Sequence, residues 1–162
     1  MTIPESIQHP SHWIIRTIQS VVLLFAAIGL VVPTASADFS EPAPVNYDQQ
    51  YKDAEKLLYK EKYVAALKIL KKITKAKPKN ADAWNLQGFA LRKTSQLEEA
   101  QVAYSKALEL NPEHKGALEY QGELFITLGD IKAAKANLET LEALCPDGCD
   151  EKDLLEAALN RT

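Results

Sequence analysis

Glycine is scarce, with six in 162 residues, and none of them builds a phosphate-cradling loop, so nucleotide chemistry has no starting point here. Cysteine occurs only at Cys145 and Cys149, whose CxxxC spacing matches neither the CxxC of thiol-exchange enzymes nor the CxxCH of haem attachment. Of the three histidines only His114 lies beyond residue 37, on the turn after Pro112. No sequence neighbour completes a metal set or a nucleophile-base pair with it, and it reads as a surface turn residue. No pair of carboxylates marks a cleft. An enzyme is therefore not expected, nor a cofactor, nor a metal. Aromatic residues make up 7%, which suits one modest domain with a thin core. The net charge of -3 gives nucleic acid no general attraction.

Long apolar runs are also missing: none reaches the roughly 20 residues a membrane-spanning helix needs. The longest, Val21 to Val32, has 12 residues, lies beyond Arg16 and is followed by Ala35-Ser36-Ala37, which fits a signal-peptidase site. Residues 1–37 are thus expected to be a signal peptide cleaved after Ala37, leaving a periplasmic or secreted protein. An uncleaved signal that anchors the chain is the alternative. Membrane contact is expected through this segment only. Residues 38–46 (DFSEPAPVN) carry two prolines and no apolar periodicity, and read as a tether.

What the remainder contains is repetition. Pro78, Pro112 and Pro146 stand 34 residues apart, as do Ala66, Ala100 and Ala134, and likewise Ala54, Gly88 and Gly122. Apolar residues between these markers recur at helical spacing, so each unit reads as two antiparallel helices ended by a proline turn. The units are 47–80, 81–114 and 115–148, followed by 149–162 as a capping helix and C-terminus. The expectation is an all-α fold, an α-solenoid of three stacked hairpins whose exposed last face the cap covers. Asn46 and Asn80 are expected to cap the first helices of their hairpins, with Gln49 reaching back in a capping box. Small residues on both helices let the axes approach to about 8–9 Å.

A 34-residue helix-turn-helix carrying Trp84, Gly88, Leu91, Ala100, Tyr104, Ala107 and Pro112 resembles the tetratricopeptide repeat (TPR) family, and the GALEYQGELF and LCPDGC segments resemble small exported repeat proteins of Gram-negative bacteria. The sequence departs from the family at Asp53, Gln87 and Gln121, where a leucine is usual. The resemblance implies a concave groove lined by the first helices. Its residues would include Tyr51, Glu55, Tyr59, Asp82, Asn85, Phe89, Arg92, Lys93, Glu119, Glu123 and Ile126. Positions that in some members grip a terminal carboxylate hold Tyr51, Glu55, Leu86, Gly116 and Tyr120, so that clamp is absent. An extended peptide or a partner's helix remains the expected occupant.

Charge is unevenly spread. Residues 47–80 hold ten lysines against four acids, a net of +6, whereas residues 81–162 carry a net of -7. Salt-sensitive self-association is one consequence the sequence allows. Cys145 and Cys149 bracket Pro146-Asp147-Gly148, and export makes a structural disulfide plausible, with a labile redox pair or a soft-metal site as the alternatives. The functional expectation is a protein-protein interaction module or assembly adaptor; the alternative is a redox- or metal-responsive accessory factor using the cysteine pair.

Overall fold

The computed structural model describes residues 44–162; the expected signal peptide, its cleavage point and most of the tether lie outside them. Seven helices and no strand occur among the described residues: α1 (Tyr47–Tyr59), α2 (Tyr63–Ala76), α3 (Ala81–Lys93), α4 (Leu97–Leu110), α5 (Lys115–Leu128), α6 (Ile131–Leu144) and α7 (Asp150–Leu159). The fold is an all-α helical repeat.

The local signals recur with the repeat. Asn46 and Asn80 accept hydrogen bonds from the backbone N–H groups of Gln49 and Ala83 at 3.0 and 2.9 Å. His114, one repeat further on, does the same through Nδ1 from Ala117 N–H at 3.2 Å. It is therefore a helix cap with a largely buried ring, not the surface turn residue expected, because a cap must point back at the orphan donors of the first turn. The expected capping box at Gln49 does not form; its amide donates forward to Asp53 Oδ1 at 2.9 Å.

Each hairpin turn has the same geometry. Glu61, Ser95 and Gly129 adopt φ of 57°, 62° and 80°. The N–H groups of Lys62, Gln96 and Asp130 reach the carbonyls of Leu57, Leu91 and Phe125, five residues back in the Schellman pattern that closes a helix end. Only the third turn uses glycine for the left-handed position, so the first two carry a steric cost that Gly129 avoids.

Consecutive helices pack antiparallel, and beyond that α1 touches α3, α3 touches α5 and α5 touches α7. The helices α2, α4 and α6 make no such contact with one another. One layer is thus closed up and the other splayed, which curves the stack with α1, α3, α5 and α7 on the inner side. The helix α7 takes the place that the first helix of a further hairpin would occupy. The main core comprises Ala54, Leu70, Ala66, Ala90, Leu91, Ala100 and Tyr104, with a second cluster of Leu118, Leu141 and Leu155 under the cap. At α6 and α7 the sulfurs of Cys145 and Cys149 lie at bonding distance, with Cα atoms 5.8 Å apart, tying the end of α6 to the start of α7.

Two of the three departures from leucine have a structural reason. Gln87 is buried and accepts from Thr74 Oγ1 of the preceding hairpin at 2.8 Å. Gln121 is buried as well, and its Oε1 accepts from Asn137 Nδ2 at 3.1 Å. A buried amide is costly unless paired, and both are paired.

Candidate functional site

The inner face of α3 and α5 carries the densest set of chemistry-bearing side chains. Phe89 of α3 and Tyr120 of α5 have ring centroids 4.9 Å apart, and Tyr63 meets the other side of Phe89 edge-on at 6.0 Å. The guanidinium of Arg92 lies 5.8 Å from the Phe89 centroid and 6.0 Å from that of Tyr120, and Lys93 Nζ lies 5.4 Å from Phe89. Cations over ring faces are held by the ring quadrupole, so the aromatic row fixes both charges. Arg92 Nη2 also donates to Glu123 Oε2, an ion pair joining α3 to α5.

One turn before Glu123, Glu119 is 4% exposed. Burial pushes its carboxyl up to about 8, the nearby Glu123 adds to the rise, Arg92 opposes it, and Glu151 of α7 adds again. At neutral pH this carboxyl is largely protonated. The Tyr120 phenol is raised by burial and by Glu119 and Glu123. Beneath the row, the Tyr104 hydroxyl is fully buried with no hydrogen-bond partner among the described residues, as are Arg92 Nε and Asn85 Oδ1.

A second group lies across α1 and α3. Burial raises the Tyr51 phenol, with Glu55 and Asp82 contributing. Asp82 Oδ1 lies 3.1 Å from His114 Nε2, which brings a carboxylate of α3 beside the ring that caps α5.

Of the residues expected in the groove, the structure thus gathers Phe89, Arg92, Lys93, Glu119 and Glu123 in one cluster and Tyr51, Glu55 and Asp82 in another. Tyr59 joins neither; it is 92% exposed near the hairpin tip. Ile126 packs against the cluster under the cap, and Asn85 is buried at 6% exposure. The outward orientation expected for Asn85 and Glu119 is corrected, because the close approach of inner-layer helices covers both. Sequence reasoning left Tyr63 and Tyr120 out of the site. The signal for Tyr120 was present, since it stands beside Gln121, where the usual leucine is missing. Tyr63 begins a second helix, a position the repeat phase assigns to the core.

The architecture defines a class, an α-solenoid of helical hairpins. Residues 81–114 match the tetratricopeptide repeat family model, and the fold around them is that of an all-α helical repeat. A MamA RS-1 double mutant is similar, with a TM-score of 0.61 and 28% identity over 65% of this chain; the chain spans 59% of that chain's length. The first TPR of Spaghetti (RPAP3), bound to an HSP90 peptide, gives a TM-score of 0.63 at 19% identity, covering 71% of this chain and 91% of that one. The Yersinia enterocolitica secretion chaperone SycD, in complex with a YopD peptide, gives 0.63 at 17% identity, covering 70% and 89%. No curated protein sequence matches the chain.

Proposed function

We propose that the protein is an exported interaction module, without catalytic activity, that holds an extended segment or helix of a partner protein along the inner face of α3 and α5. The observation that carries this reading is the aromatic row Tyr63, Phe89 and Tyr120 with Arg92 and Lys93 laid over it. Rigid aromatics and arginine supply a large share of binding energy at protein interfaces, since they bury area with little loss of rotamer freedom. That similar folds such as the RPAP3 and SycD domains are seen with peptides supports the same use here. The cysteine pair sits between the end of α6 and the start of α7, which favours a staple for the cap over a redox or metal role.

The test is a photoreactive phenylalanine analogue placed at Phe89 in living cells, with adducts recovered from the extracytoplasmic fraction and sequenced. A partner is expected to crosslink to a chain that begins at Asp38. Equal yield of the same adduct from a label at Val102, exposed on the outer helix α4, would remove the groove reading; recovery only from the cytoplasm would remove export.

A further inference from the structure

The longest stretch of unopposed charge lies away from the groove. From Lys62 to Ala81 the sequence has seven lysines and no acid. Within α2, Lys68, Lys71, Lys72 and Lys75 are all exposed, and none has an ion-pair partner among the described residues. Val64, Lys68, Lys71 and Lys75 recur at i, i+4, i+7 and i+11, so they form one stripe, with Lys72 alongside, opposite the buried Ala66, Leu70 and Ile73. The helix α2 belongs to the splayed outer layer, and its stripe faces away from the stack.

Apolar side chains accompany the lysines. Val64 is 75% exposed, Tyr59 at the hairpin tip 92% and Val45 before α1 54%. Between the start of α1 and the end of α2 opens a groove of about 450 Å³, lined by Val45, Tyr47, Gln50, Lys72, Lys75 and Ala76. Ammonium groups at the rim of an apolar recess suit the phosphodiester head and glycerol region of a lipid.

We infer that the outer face of α2 docks on an anionic phospholipid surface, leaving the inner face of α3 and α5 free. This adds a membrane contact to the one expected from residues 21–32, and it does not depend on the groove holding a partner.

The full chain is tested by co-sedimentation with phosphatidylcholine vesicles and with vesicles containing phosphatidylglycerol, comparing the native protein with a variant carrying Lys68→Gln, Lys71→Gln, Lys72→Gln and Lys75→Gln. The apolar segment is common to every arm, so the difference between proteins reads the lysine face. At about fivefold in partitioning per lysine near an anionic surface, the variant, which removes four, is expected to lose about 600-fold on anionic vesicles and nothing on neutral ones. Added salt is expected to erase that difference. Equal partitioning of the two proteins on anionic vesicles overturns the inference. So does the case in which the substitutions leave vesicle binding intact but dissolve a salt-sensitive oligomer seen by light scattering without lipid, which would give the face to a second copy. Thermal melts by circular dichroism are expected to coincide for the two proteins, since all four positions are exposed.

Discussion

The second and third hairpins share a sequence lattice yet close their cores with different partners. At Gly88 an added Cβ would come within 2.6 Å of the Tyr104 ring, on the second helix of the same hairpin. At Gly122, one repeat later, it would come within 2.6 Å of the Leu155 methyls, on the cap. Leu138 stands where Tyr104 would repeat, and it is only partly buried against the cluster that Leu155 anchors. The second hairpin is thus filled from within, whereas the third borrows its filling from α7. One small residue, repeated in phase, serves whichever neighbour brings bulk to it.

The largest expected effect tests that dependence. Leu155→Ala removes a fully buried side chain from the interface of the third hairpin and the cap and should cost about 2–5 kcal/mol in chemical denaturation. In that background Gly122→Ala should be accommodated, while Gly88→Ala keeps its cost because Tyr104 is untouched; loss of both distinctions would mean that the two glycines do the same job.

A second contrast is electrostatic, since the third hairpin alone buries a carboxyl on the inner face. The pKa of Glu119 is raised from 4.5 to about 8, so the folded state holds a proton that the unfolded chain has released. Stability should therefore fall as pH rises from about 4.5 to about 8 and level off above that. Glu119→Gln should flatten the slope across this window and be the more stable form at its upper end. A wild-type melting temperature that does not change over the same range would show that the carboxyl ionises freely.

The smallest effect concerns the turns. Ser95 holds a left-handed conformation that Gly129 holds without strain, so Ser95→Gly should raise stability by about 0.5–1 kcal/mol, and the same measurement shows whether the second turn is strained.

Most of the fold was legible because each helix is marked locally, by Asn46 and Asn80 at starts, by prolines after ends, and by alanines where axes approach. His114 shows how the reading fell short. It stands in phase with Asn46 and Asn80 and could have been recognised as a cap from that spacing, but its residue type suggested a turn. The site was less legible. Arg92, expected as a groove contact, is held by Glu123 and by the Tyr120 ring, 31 and 28 residues from it in sequence, and such pairings depend on how two inner helices approach. Burial of Asn85 and Glu119 follows from the same approach.

Sequence alone determined the repeat length, the helix ends and the lysine run, since caps, turns and helical stripes depend on residues a few positions apart. Tertiary structure decided which layer closes up, which partner fills each glycine and which carboxyl loses water, because these depend on distances between helices that no local signal sets.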